Sequence, residues 1–123
     1  RGLFDYRALP QTPWRWRSGL VELPFASATR RRQALTISYL KLLGRLYWQS
    51  ALVERLPPVL VIDSHLHDFF EPSTFDNLPL MFRLAYRRNR HRGLALLEWL
   101  LVTLRAEGYR FVTMTKLLEE VSP

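Results

Sequence analysis

Cysteine is absent from all 123 residues, which rules out disulfides, thiolate-bound zinc and a cysteine nucleophile and leaves the redox compartment open. Any metal would have to be held by histidine and carboxylate. Lysine is nearly absent as well: Lys41 and Lys116 are the only two, so the net charge of +7 is carried almost wholly by arginine. Long apolar runs are missing too. Each is broken by Arg, Lys, Gln or Glu well short of the roughly 20 residues a membrane helix needs, so no segment spans a bilayer in that way. The chain opens Arg1-Gly2-Leu3-Phe4, without an initiator methionine or the charged and apolar regions of a signal peptide. That opening is expected of a fragment cut from a longer protein.

What is present fits one small domain, since 48% apolar content is enough to fill a core at this length. Arginine favours bidentate contact with phosphate or carboxylate, so a polyanionic partner has to be considered. The simpler explanation of the charge is a solvated basic face. Two clusters stand out, Arg30-Arg31-Arg32 and Arg87-Arg88-Asn89-Arg90-His91-Arg92.

Residues 1–18 carry Pro10, Pro13, Trp14 and Trp16 with no steady period and read as an irregular loop. Trp14-Arg15-Trp16-Arg17 interleaves aromatics with arginine, a pattern that stacks on sugar rings or bases. Leu20 to Phe25 reads as a short strand with Pro24 at its end. From about Arg30 to Arg55, Leu35, Tyr39, Leu42, Leu43, Leu46 and Val53 recur at helical spacing, with Gly44 as a point of interruption. Pro57 and Pro58 stop that helix.

Val59 to Ile62 is too short for a helix and β-branched, which suits a buried parallel strand. Residues 70–79 read as a polar loop, and a short helix from Leu80 runs into the second arginine cluster, whose charges complement a helix C-terminus. Leu94 to Arg105 is apolar on more than one face, as expected of a helix between layers. Gly108 suits a left-handed C-cap, Tyr109 to Thr113 reads as a final strand, and Thr115 as the cap of a last helix reaching Val121. The alternation of elements predicts an α/β fold.

The apolar run ending in Asp63-Ser64-His65-Leu66-His67-Asp68-Phe69 is the best candidate for a site, because it places titratable groups at a strand end. Without a further ligand nearby, His65, His67 and Asp68 do not make a zinc centre by themselves. The plain alternative is a polar loop start whose side chains bond locally.

Three stretches in order, Gly19-Leu20-Val21-Glu22-Leu23-Pro24, His65-Leu66-His67-Asp68-Phe69 and Gly108-Tyr109-Arg110-Phe111-Val112-Thr113-Met114, resemble the C-terminal half of polysaccharide deacetylases of the NodB-homology carbohydrate esterase family. The resemblance implies that residues 1–123 form one partial domain. That domain would be the C-terminal portion of a distorted (β/α) barrel, with mainly parallel strands and covering helices. In chain order the Val59–Ile62 strand would lie between Leu20–Leu23 and Phe111–Val112, with right-handed crossovers.

It also implies removal of N- or O-acetyl groups from a carbohydrate polymer with a divalent metal such as zinc, in an extracytoplasmic setting. The Asp-His-His metal set and the aspartate base belong to earlier motifs that are not in this sequence, so the metal is expected in the complete parent and not on this chain. The missing N-terminal half of the same protein is then a partner.

The family's last-motif histidine falls on His65 in the preferred register, with Asp68 in support, and on His67 in the alternative register. It acts as the general acid that protonates the leaving amine or alcohol, a role suited to imidazole. Glu22 matches a carboxylate of a subgroup and receives no chemical step. Trp14 and Trp16 are candidate sugar-stacking residues. Two further readings stay open: a small basic module that binds nucleic acid or another acidic polymer, and a non-catalytic deacetylase-like scaffold.

Overall fold

Thr36 opens the first helix: its hydroxyl oxygen accepts from the amide of Tyr39 at 3.2 Å, satisfying one of the orphan donors of a helix start. The structure, a computed structural model, describes residues 10–28, 33–52, 56–70 and 73–121. Helix α1 (Ile37–Leu43) ends where Gly44 adopts φ of 82°, a conformation that favours glycine, and α2 (Arg45–Leu52) leaves in a new direction. Periodicity predicted one helix from Arg30. Instead the chain is still extended at Gln33–Ala34, and Arg30 to Arg32 lie outside the described residues.

Two antiparallel pairs precede the helices. Strands β1 (Trp14–Arg15) and β2 (Val21–Glu22) pair with Trp14 opposite Glu22; β3 (Ser27–Ala28) and β4 (Gln33–Ala34) pair with Ser27 opposite Ala34. The remaining helices are α3 (Leu80–Arg87), α4 (Gly93–Ala106) and α5 (Met114–Val121). Gly108, at φ of 88°, ends the turn after α4 as expected. The last helix is capped two residues earlier than expected, with Thr113 Oγ1 accepting from the amide of Lys116 at 3.3 Å.

The core joins the β3–β4 region to the helices. Ala26, Ala28, Leu35, Ile37, Leu40, Trp48 and Leu52 meet Leu96, Leu100 and Leu104, which recur every four residues along one face of α4. Trp48 is fully buried, and its indole N–H donates to the Tyr39 carbonyl at 3.2 Å. Helix α4 is covered on that face only; Leu94 and Val102 are exposed. Among the described residues, no helix is long and apolar enough to cross a membrane.

The α/β expectation is overturned: the chain does not form part of a (β/α) barrel. The only ladders among the described residues are the two antiparallel ones, and parallel pairing is reduced to two isolated bridges, Phe25 with Val61 and Thr36 with Asp63. The chain between Ala26 and Leu35 turns out into the β3–β4 hairpin, closed by Leu35 N–H donating to Ala26 O at 2.8 Å. That excursion cuts the neighbour of Val59–Ile62 into two single contacts.

Tyr109 to Thr113 forms no ladder either. The Tyr109 hydroxyl donates to the Pro57 carbonyl at 2.7 Å. Between these two segments an open groove of about 660 Å3 is lined by Leu60, Ile62, Leu97, Leu101 and Phe111. Alternate residues of an extended chain direct their backbone groups to opposite sides. Val61 and Asp63 therefore bond towards Ala26 and Ile37, while Leu60 and Ile62 face the groove with no backbone partner among the described residues.

Candidate functional site: a carboxylate–imidazole pair on a pinned turn

The bridge to Thr36 fixes Asp63, and two residues later His65 is still extended, at φ of −118° and ψ of 156°. Side chains two apart on extended backbone share a face. The consequence is a pair: His65 Nε2 lies 3.1 Å from Asp63 Oδ2, with the imidazole about half exposed (53%) and the carboxylate less so (30%). The chain then tightens into a 3-10 turn over Leu66–Asp68.

Asp68 holds that turn. It is fully buried; Oδ2 accepts from the His65 amide at 2.9 Å and Oδ1 accepts from the Ser38 hydroxyl at 2.6 Å. Lys41, one helical turn beyond Ser38 on α1 and also buried, donates from Nζ to the His67 carbonyl at 3.2 Å. Asn89 reaches the Lys41 carbonyl from the far side at 2.7 Å. Helix α4 closes the back, with Gly93 placed so close to the Asp68 carbonyl that a side chain there would overlap it.

His67 is brought beside His65, although the strand does not continue through them. Their rings stack at 5.0 Å and 19°, and the edges of Tyr86 (5.1 Å) and Phe75 (6.0 Å) surround His67. Burial lowers its pKa below the usual imidazole value; Asp68 pulls it up, His65 and Lys41 push it down, and Asp63 pulls it up slightly. His67 is thereby held towards its neutral form.

Serine, histidine and aspartate also meet here, but not as a nucleophilic triad. Ser38 gives its proton to Asp68, and its oxygen is 3.5 Å from His67 Nε2, so His67 is not placed between acid and hydroxyl. No three His, Asp or Glu side chains among the described residues are grouped to hold a metal ion. Asp68 is already committed to two donors. The divalent metal implied by the resemblance does not fit the described residues of this chain.

Of the residues singled out in the sequence, His65, His67 and Asp68 are brought together. Trp14 and Trp16 are not. They contact each other at 5.9 Å, and the Trp16 indole donates to Glu22 Oε2 at 3.4 Å, with no hydrogen bond or ring contact to the histidine turn. Sequence reasoning missed Asp63, Ser38, Lys41 and Asn89 as parts of the site. The i, i+2 spacing of Asp63 and His65 was a usable signal for the first; the other three needed the path of the chain.

No family model, no curated protein and no solved structure matches this chain. The family resemblance stands on the three quoted stretches alone.

Proposed function

We propose that this chain supplies the proton donor of a carbohydrate deacetylase, with His65 as the general acid and Asp63 as its positioning residue. The observation that carries the reading is the Asp63–His65 pair. The Asp63 carboxylate holds Nε2 and so orients the ring, and the half-exposed imidazole is the group placed to exchange a proton with a leaving amine or alcohol. Asp68 holds the turn rather than taking part in chemistry, and His67, stacked on His65, restricts its ring.

In this reading the metal and the base come from the remainder of the parent, the substrate is an acetylated carbohydrate polymer, and the isolated 123-residue chain releases no acetate. The experiment is turnover of an acetylated chito-oligosaccharide by the complete protein. His65→Ala lowers kcat by about 10²–10⁴-fold with little change in KM, as expected for loss of a general acid. Asp63→Asn lowers it less, and His67→Ala less again. If His67→Ala is the damaging change, the register shifts to His67. If neither histidine matters in an active enzyme, the turn is structural, and the non-catalytic scaffold is the better description.

A further inference from the structure

Helix α3 is amphipathic in an unusual sense: its apolar side faces out. None of its residues is buried; Leu80, Met81, Phe82 and Leu84 are 58%, 75%, 58% and 57% exposed. At 100° per residue, Leu80, Leu84 and Met81 occupy one continuous arc, and Arg83 and Arg87 border it beside Leu80. The helix is attached through its other side, where the Tyr86 ring packs at 5.2 Å from Phe75 and 5.1 Å from His67. Scattered exposed leucines need no explanation, but a contiguous apolar arc on a fixed helix does.

The charge beside this arc selects what covers it. Between Asp76 and Glu98 the chain has five arginines, Arg83, Arg87, Arg88, Arg90 and Arg92, and no carboxylate. Asp76 meets Arg87 at 2.7 Å across an exposed pair, while Arg88 and Arg92 are exposed at the end of the helix. An apolar arc rimmed by guanidinium groups is the pattern of a helix lying in a lipid interface, apolar side down and arginines at the headgroups.

We propose that α3 with the Arg87–Arg92 turn docks on an anionic lipid surface. A nucleic acid would use the arginines but leave the three apolar side chains of the arc in water. A second copy would bring two sets of these arginines together. A lipid surface takes both features, and the His65 turn, joined to α3 through the His67–Tyr86 contact, would then lie close to that surface.

The test is co-sedimentation of the purified protein with phosphatidylcholine vesicles, with and without phosphatidylserine. Binding is expected only to the phosphatidylserine vesicles and weakens as salt rises. Met81→Gln with Leu84→Gln, at exposed positions where folding is retained, lowers the partition coefficient about tenfold or more. Arg88→Gln with Arg92→Gln lowers it about thirtyfold at low salt. The proposal is overturned by equal binding to neutral vesicles, by absence of binding to the anionic ones, or by full binding of the Met81/Leu84 variant. It is equally overturned if the protein forms a dimer that the Met81/Leu84 variant abolishes, or if it binds duplex DNA but no vesicle.

Discussion

Removing the Asp68 side chain should unfold the site before it changes any chemistry. Asp68 is fully buried and accepts two hydrogen bonds, from the His65 amide at 2.9 Å and the Ser38 hydroxyl at 2.6 Å. Hydrogen bonds to a charged group contribute about 1.5–3 kcal/mol each, and a donor left buried without a partner costs about 1–3 kcal/mol. Against this, Asp68→Ala also removes the desolvation cost of a buried carboxylate, which offsets part of the loss. The net expectation is destabilisation by about 3 kcal/mol.

For a domain of this length, that is a drop in Tm of roughly 12 °C at about 4 °C per kcal/mol. Asp68→Asn keeps the shape, one acceptor for the His65 amide and an N–H for the Ser38 oxygen. It loses only charge assistance, about 1 kcal/mol. Urea unfolding followed by circular dichroism separates the three proteins. An alanine variant within about 0.5 kcal/mol of the parent, the size of an ordinary surface substitution, would refute the account of Asp68 as the clamp of the turn.

Burial lowers the His67 pKa, so the unfolded chain takes up a proton more readily than the folded one. Its contribution to stability is complete above the unfolded value of ~6.5 and is lost as pH falls from there through the lower folded value. The urea midpoint should therefore fall between pH ~7.5 and ~5.5, and His67→Gln should flatten that dependence. Gly93→Ala would normally gain about 1 kcal/mol at a helical position, but the new methyl overlaps the Asp68 carbonyl. A loss of about 1–3 kcal/mol is expected in thermal unfolding, and a gain would show that α4 does not press on the turn. Asn89 has φ of 54° and donates to the Lys41 carbonyl at 2.7 Å. Asn89→Ala should cost about 1–2 kcal/mol, and Asn89→Gly should recover the backbone part but not the hydrogen bond.

Local signals carried well where one residue or one short period decides the outcome. Gly108 marked the end of α4, Pro57 and Pro58 the limit of the helical region, and the leucines from Leu94 onward the helix itself. The failures share a cause. Leu35 continues the period of α1, yet it is spent on the extended segment that bonds back to Ala26, because the β3–β4 hairpin uses those residues. Tyr109 to Thr113 has strand-like composition but pairs with no strand among the described residues, and strand propensity needs a partner to become a strand. At the site, the His-x-His-Asp spacing was readable, whereas Ser38, about thirty positions earlier, becomes visible only when α1 is laid against the turn.

The groove-facing edge of Val59–Ile62 has a consequence for how this protein behaves in a tube. Four consecutive β-branched or aliphatic residues, with amides and carbonyls on one side that have no backbone partner among the described residues, are a template for another extended chain. Pro57 and Pro58, just upstream, lack amide donors and stop that template from growing in one direction. Replacing Pro58 by a residue with an N–H would lengthen the pairable edge. Slow self-association of concentrated samples should begin at this segment, and a lysine in place of Leu60 should delay it.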